Sequence, residues 1–126
     1  MTTIDTNYIL RFLTRDIEDQ HLISRKVIIN KNIKKYVSAI IIAEVNYILQ
    51  NHYGFDKHKV ICVLVDFLSI KHIESEEYVK TALQIYEHES ISFYDSLIIA
   101  ESITNKNELK TFDTKLLKAF TKYNSN

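Results

Sequence analysis

Hydrophobic and polar residues alternate along the chain in two different patterns. Short β-branched segments at 2–5, 34–38, 70–74 and 108–112 are predicted as strands. The longer stretches with helical spacing are predicted as helices, two over 8–27 and one each over 38–53, 56–69, 75–89, 92–106 and 113–120. Strands separated by helices predict an α/β sandwich around a central parallel sheet.

Local signals mark two of the helix starts. Ser75 is followed by Glu76 and Glu77, which would place carboxylates in a first helical turn. Ser92 and Asp95 have the spacing of a capping box. We therefore expect helices to begin near these two serines.

One predicted helix, over 58–69, contains the run VICVLV, which is apolar on every face. Such a helix is either fully buried or part of a subunit interface. Cys62 lies within this run and is expected to be a small buried apolar residue. The helix is therefore the candidate contact of a homodimer.

Length and composition are those of a soluble globular domain. The 126 residues form a core of ordinary size, so we expect one domain over 1–126. Lys plus Arg and Asp plus Glu are 16 each, so no overall basic field indicates a nucleic-acid binder. Any contact with RNA must come from a local basic patch.

Several classes of protein are excluded by what the sequence lacks. One glycine and no proline leave no Gly-rich phosphate loop, which excludes P-loop, kinase and Rossmann chemistry. No signal peptide and no apolar run of about 18 residues is present, so we expect a cytoplasmic protein without a membrane anchor. The single cysteine is consistent with a reducing compartment.

Glu44 stands inside the almost wholly apolar run SAIIIAEVNYIL, residues 38–49. In a buried helix an unpaired carboxylate would cost several kcal/mol or take up a proton. A buried ion pair with Lys or Arg is one explanation, and a bound cation is the other.

Three further acids follow predicted strands or begin predicted helices in apolar surroundings: Asp5, Asp95 and Asp113. Asp5 and Asp113 would end adjacent strands at the sheet edge where ligands usually bind, and Glu44 and Asp95 could reach the same crevice. Clustered carboxylates without histidine or cysteine suit Mg²⁺ or Mn²⁺, which perform phosphodiester hydrolysis. Taken singly, each aspartate is better explained as a helix cap.

Other nucleophiles and ligands have little support in the sequence. The five histidines show no pair at i, i+4 and are treated as surface residues: His21, His52, His58, His72 and His88. Ser38, Ser92 and Ser96 have no histidine that the sequence places nearby. The acids thus remain the principal candidates for chemistry.

Four segments of the chain resemble, in order and spacing, the acidic motifs of PIN-domain ribonucleases: DTNYILRFLTRD, AEVNYILQNHYGF, FYDSLIIAE and TFDTKL. Among these proteins the chain is most similar to the VapC toxins of prokaryotic toxin–antitoxin pairs. The resemblance runs from Thr3 to about Lys118 and leaves none of the four acids missing. It departs from related sequences in its scarcity of glycine and proline.

The resemblance implies a three-layer α/β/α sandwich and a Mg²⁺- or Mn²⁺-dependent endoribonuclease that leaves a 5′-phosphate and a 3′-hydroxyl. It also implies a homodimer neutralised by a small VapB-like antitoxin, which we expect to insert a basic residue into the acidic site. By motif, the metal-binding and catalytic acids are Asp5, Glu44, Asp95 and Asp113. Asn7 and Ser96 would support them by hydrogen bonds.

Phosphate contacts are expected from Arg11, one helical turn beyond Asn7, and from Lys115 and Lys118, on the helix that Asp113 begins. For the two lysines a solvated helix face is an equally good explanation.

Two alternative functions stay open. A PIN-like module that binds RNA or protein without cutting would be indicated by the loss of an acid, and none is lost. A phosphate-accepting receiver domain has a similar length and alternation, but it requires an aspartate after the middle strand, where this chain has Ser38.

Overall fold

A computed structural model describes residues 1–125 of the chain. The chain divides into two compact units, Met1–Glu76 and Glu77–Asn126. Each unit is described by itself below.

The first unit contains a parallel sheet of three short strands, β1 (Thr2–Thr3), β2 (Lys35–Tyr36) and β3 (Ile73–Glu74), in the order β1-β2-β3. Thr2 pairs with Lys35, and Lys35 in turn pairs with Ile73. Backbone hydrogen bonds extend the pairing beyond the strands, for example from the Ile4 amide to the Tyr36 carbonyl at 3.0 Å. Three of the four predicted strands are thereby confirmed.

Four helices complete the first unit: α1 (Thr6–Thr14), α2 (Glu18–Ile28), α3 (Ala39–Asn51) and α4 (Lys57–Leu68). Three of them begin after a residue whose side chain accepts a hydrogen bond from a backbone N–H of the first turn, namely Asp5, Ser38 and Asp56. Such caps satisfy N–H groups that have no partner inside the helix. The helix starts are therefore encoded locally in the sequence.

The central strand β2 buries a lysine. Lys35 is fully buried, and its Nζ donates to the backbone oxygen of Asn30 at 2.8 Å. Burial lowers the pKa of this ammonium group because a low-polarity surrounding disfavours the charged form. The sequence analysis did not single out this residue.

Helix α4 is amphipathic, whereas the sequence analysis expected burial on every face or a subunit interface. Its buried residues recur at helical spacing: Val60, Ile61, Leu64, Phe67 and Leu68. Cys62 and Val65 lie on the other side and are exposed, so the expectation that Cys62 is buried was wrong. A helix 12 residues long has one face against the core, and these two residues fall outside that face.

His21 also differs from its expectation as a surface residue. It is buried, its ring stacks on Phe12, and its Nδ1 lies 3.0 Å from the Arg11 carbonyl oxygen. The residues around His21 in the sequence carry mixed charges, so its position on the buried face of α2 was not predicted.

The second unit consists of three helices, α5 (Tyr78–His88), α6 (Phe93–Thr104) and α7 (Thr114–Asn124). The prediction of a strand over 108–112 was wrong, since none of the described residues of this unit forms a strand. Glu108 and Lys110 form an exposed ion pair at 2.9 Å, and Phe112 is fully exposed. The segment thus lacks the buried face that would hold it against a sheet.

The two predicted helix starts had different outcomes. The Ser92 hydroxyl accepts from the Asp95 amide at 3.0 Å, so the predicted helix start at Ser92 is confirmed. The prediction that Glu76 and Glu77 lie in a first helical turn is wrong, because α5 begins at Tyr78 with no acid in its first turn and no side-chain cap. Glu76 instead accepts from the Ala39 amide at 2.7 Å and so serves the start of α3 within the first unit.

Positive φ angles occur at non-glycine residues in three loops. Arg15, His72 and Lys106 have φ of 59°, 67° and 55°, a left-handed conformation that glycine usually supplies. The chain has a single glycine, Gly54, so other residues occupy these turns. None of the helices formed by residues 1–125 has both the length and the apolar character needed to cross a bilayer.

Candidate active site

Asp5 links the sheet of the first unit to helix α1. It follows β1 by two residues, and its Oδ1 accepts a hydrogen bond from the Tyr8 amide at 3.0 Å. One carboxylate oxygen therefore caps the helix, and the exposed side chain keeps the other available. The prediction that Asp5 is a helix cap is confirmed. Its second carboxylate oxygen remains available as a ligand.

A cavity of about 340 Å³ opens beside Asp5 between helices α1 and α2, and Asn7, Arg11 and Gln20 also line it. Asn7 is exposed next to Asp5, which suits the supporting role predicted for it. Next in sequence, the Thr6 hydroxyl is buried and, among residues 1–125, has no hydrogen-bond partner. A buried polar group without a partner requires an explanation such as a bound water or ion.

Arg11 faces the same cavity but is already engaged. Its Nε donates to the Gln20 side-chain oxygen at 2.8 Å, and its guanidinium lies 3.6 Å from the Asp16 carboxylate. A phosphate contact predicted for Arg11 would therefore compete with Asp16 for the same charge.

Glu44 lies in the second turn of α3, as predicted, but it is exposed rather than buried. The residues one turn to either side on the same face, Ile40 and Tyr47, are 71% and 52% exposed. No desolvation penalty has to be offset at this position, so the buried ion pair considered from the sequence was wrong. Within the described part of the first unit, the Glu44 carboxylate makes no hydrogen bond or ion pair.

Asp95 occupies the first turn of α6 in the second unit and is half-buried. Its amide is bonded to the Ser92 cap, but its carboxylate has no hydrogen bond to any described residue of that unit. Asp95 is therefore not the cap of its helix. Ser96 is fully buried and its hydroxyl donates to the Ser92 carbonyl at 3.1 Å, so it fixes the helix start that carries Asp95.

Asp113 caps α7, and its Oδ1 accepts from the amides of Lys115 and Leu116 at 3.0 and 3.1 Å. The expectation that Asp113 ends a strand was wrong, because 108–112 is not a strand. Thr111 orients Asp113 instead, through a hydrogen bond from the Asp113 amide to the threonine hydroxyl at 3.0 Å.

Each unit thus presents two of the four predicted acids, Asp5 and Glu44 in the first and Asp95 and Asp113 in the second. Within the described residues of either unit, no group of three or more His, Cys, Asp or Glu side chains could hold a metal ion. None of the four carboxylates forms an ion pair inside its own unit. Unneutralised oxygen donors of this kind fit Mg²⁺ or Mn²⁺ in chemistry.

Two lysines predicted as phosphate contacts, Lys115 and Lys118, line a basic cavity in the second unit, to which His88, Glu89 and Lys122 were not assigned from the sequence. His88, Lys115, Lys118 and Lys122 line it together with Glu89. Glu89 accepts hydrogen bonds from Lys122 at 2.9 Å and from the Tyr123 hydroxyl at 2.8 Å. Burial, and secondly the Glu89 hydrogen bond, raises the pKa of Tyr123 to about 12.

Parallel strands joined through helices define an α/β protein, a class whose ligands usually bind beyond the carboxyl ends of the strands. The family model of the PIN domain matches residues 2–121, and the chain belongs to this family. The match, together with the parallel three-stranded sheet and the seven helices of residues 1–125, confirms the predicted three-layer α/β/α fold class. No curated protein and no solved structure matches the chain.

PIN domains are generally nuclease modules and typically use divalent metal ions. The family match therefore supports a nuclease role for this chain, as the sequence analysis predicted at this coarser level.

Proposed function

We propose that the protein is a Mg²⁺- or Mn²⁺-dependent endoribonuclease and the toxin of a toxin–antitoxin pair. The observation that carries the proposal is the family match over 2–121, which includes four acids that form no ion pair within their own units. A phosphodiesterase of this kind needs such acids to remain available for cations.

The four acids would hold the metal: Asp5, Glu44, Asp95 and Asp113. Bound there, the ion supplies Lewis-acid chemistry, polarising a phosphoryl oxygen and lowering the pKa of a coordinated water. The single domain over 1–126 is part of this proposal, since the family match runs through both units.

The protein's own residues position these acids. Caps hold Asp5 and Asp113 in one rotamer each, because their Oδ1 atoms are tied to backbone amides. Ser96 acts through the backbone of Ser92, which fixes the turn that presents Asp95. Asn7 lies beside Asp5 at the cavity and would hydrogen-bond the carboxylate or its ligand.

Two partners belong to the same proposal. A small antitoxin would place a basic side chain, best an arginine, at the acids, since they have no counter-charge in their own units. A second copy of the chain would pack on the outer face of α4, where Cys62 and Val65 are exposed apolar residues. A co-complex without a basic side chain at the acids, and a monomer in sedimentation at micromolar concentration, would each refute one of these points.

Metal dependence gives the direct test. Purified protein freed of any partner is expected to cleave single-stranded RNA with Mg²⁺ or Mn²⁺ and to stop when a chelator is added. Activity should return when the metal is restored in excess. Cleavage that persists in chelator would refute the proposed mechanism, and RNA binding without cleavage under all metal conditions would favour a non-catalytic module. The proposal places this activity in the cytoplasm.

A further inference from the structure

A cavity of about 590 Å³ lies in the second unit beside helix α7, and neither Asp95 nor Asp113 lines it. Lysines supply most of its charge: Lys115, Lys118 and Lys122. His88 and Glu89, at the end of α5, contribute the remaining titratable groups. The proposed chemistry makes no use of this cavity as a whole.

The three lysines form one row along α7. Their spacing of i, i+3 and i+7 places them on a single helix face. Ala119, which also lines the cavity, is a small buried residue between them and leaves room above the helix surface. A rise of about 1.5 Å per residue spreads the row over about 10 Å.

Two of the three ammonium groups are uncommitted. Among the described residues of this unit, the side chains of Lys115 and Lys118 make no hydrogen bond or ion pair. Lys122 is bonded to Glu89, yet 64% of its side chain remains exposed. The Nδ1 of His88 lies 2.9 Å from the Gln84 carbonyl oxygen and is thereby held as the donor nitrogen. The cavity therefore carries a net positive charge at neutral pH.

The lysine row is continuous with the proposed catalytic residue at the start of the same helix. Asp113 caps α7, and Lys115 lies two residues farther along. A row of regularly spaced cations leading away from a hydrolytic carboxylate suits a polymer with a regularly repeating negative charge. A folded acidic protein would instead require apolar anchors at the centre of its contact.

We propose that this cavity binds the phosphodiester backbone of single-stranded RNA to one side of the bond that is cut. The inference rests on the proposed function for the position of the cut, but RNA binding itself can be measured without cleavage. Lys118 and Lys122 lie about 8 and 14 Å from Asp113 along the helix axis. At about 3.4 Å per stacked nucleotide, they would contact phosphates about two to four nucleotides from the cut.

The first experiment measures binding alone. Wild type, Lys118→Gln and Lys122→Gln are titrated with a labelled 12-nucleotide RNA in chelator, at several salt concentrations. Each lysine lost should flatten the slope of log K against log salt by about 0.7. Lys80→Gln, an exposed lysine on α5, is the matched control and should keep the wild-type slope.

Three results decide this experiment. Slopes equal to wild type in both cavity variants would overturn the inference. A flattening of the same size in Lys80→Gln would do so too, because binding would then be a property of overall charge. The same variants are also tested with a poly-glutamate peptide. If the RNA slope is unchanged but binding of the peptide depends on the lysines, the cavity binds an acidic protein partner and the RNA inference is overturned.

The second experiment separates the inference from the proposed function. The double variant with Lys118→Gln and Lys122→Gln should have a higher KM for a 12-nucleotide RNA at unchanged kcat. Its KM for a trinucleotide, which is too short to reach these lysines, should equal that of wild type. Equal KM values for variant and wild type on the long RNA would overturn the inference while leaving the nuclease intact. If wild type cleaves neither RNA but the salt slopes still respond to the lysines, the nuclease proposal fails and the binding cavity stands.

Discussion

Asp5 and Asp113 differ from Glu44 and Asp95 in what their carboxylates do for the fold. The first pair caps helices α1 and α7 through hydrogen bonds of 3.0–3.1 Å to backbone amides. The second pair lies inside helical turns, and neither carboxylate bonds to a described residue of its own unit. Each unit of the chain contains one acid of each kind.

The difference decides how mutations at the four positions are interpreted. A capping carboxylate contributes to stability whether or not it binds a metal, so lost activity after its removal has two explanations. A carboxylate without a structural partner contributes mainly repulsion to the metal-free fold, and its removal tests chemistry alone. Glu44 and Asp95 are therefore the informative positions for function.

The largest effect is expected for Asp95→Asn. RNA cleavage in Mg²⁺ should fall about 100-fold or more, as for the loss of one preorganised charge-stabilising group in an active site. The free energy of unfolding in chelator should hold or rise, because Ser92 rather than Asp95 caps α6. Paired melting curves and cleavage rates measure both quantities on one preparation.

Glu101→Gln is the matched control, since Glu101 is an exposed acid on the same helix. It should change neither quantity. If Asp95→Asn cuts RNA at the wild-type rate and unfolds about 0.3–1 kcal/mol more easily, Asp95 serves only the helix dipole. The four-acid assignment would then lose its clearest member.

A smaller effect, on stability, separates the capping acids from Glu44. Asp5→Ala should cost about 0.5–2 kcal/mol of unfolding free energy, because the Tyr8 amide loses its partner. Asp5→Asn keeps a capping oxygen, so it should lose less unfolding free energy than Asp5→Ala. It should nevertheless abolish cleavage as completely as Asp5→Ala does. Glu44→Gln, on an exposed helix face, should stay within about 0.5 kcal/mol of wild type. Equal destabilisation by Asp5→Ala and Glu44→Gln would remove the distinction between the two kinds of acid.

The sequence predicted most helices and three strands because their spacing records which face is buried. It failed at 108–112, where β-branched and aromatic residues suggest a strand but Glu108 and Lys110 bond to each other at the surface. Strand formation depends on a neighbouring strand, and nothing in a five-residue segment specifies that neighbour. Helix starts were predictable where a cap is local, as at Ser92, and not where Glu76 reaches a distant helix.

Glu44 shows how an apolar run can mislead. Its neighbours in sequence are apolar, but its neighbours on the helix face are Ile40 and Tyr47, and both are largely exposed. A count of apolar residues predicted burial, whereas the period of 3.6 residues places Glu44 on an outer face. Glu44 stays a predicted ligand, but the burial from which it was inferred is absent in the structure.

The motif order predicted the PIN-domain family, which the match over 2–121 confirms. The sequence also named Lys115 and Lys118 as phosphate contacts, but not the cavity that they line with Lys122 and Glu89. The contact that shapes this cavity joins Glu89 to Lys122, 33 residues apart in sequence, and no local pattern specifies it. The i, i+3, i+7 spacing would have added Lys122 to the two predicted lysines. Convergence of the four acids likewise depends on tertiary placement and stays a prediction.

The smallest expected effect concerns Glu89, an acid committed to an ion pair rather than to a helix cap. Hydrogen bonds from Lys122 and from Tyr123 hold its pKa below the ordinary glutamate value. A carboxylate with a lowered folded-state pKa stabilises the fold above its unfolded-state pKa, about 4.3, and loses that contribution as the pH falls through the lower folded value. Glu89→Gln should therefore destabilise the protein at pH 7 by about 0.2–1 kcal/mol, since Lys122 is largely exposed.

The same comparison at low pH sharpens the contrast between committed and uncommitted acids. As the pH falls through the lowered folded-state pKa, wild-type Glu89 takes up a proton, so the difference between wild type and Glu89→Gln should shrink. Glu101→Gln, which removes an exposed acid of α6, should give a difference that is small at both pH values. Urea unfolding of wild type and the two variants at pH 7 and pH 3 measures the six free energies needed. If the Glu89→Gln penalty is equal at both pH values, the Glu89 side chain contributes through packing and not through its charge. Lys122 could then bind RNA without any loss of folding stability.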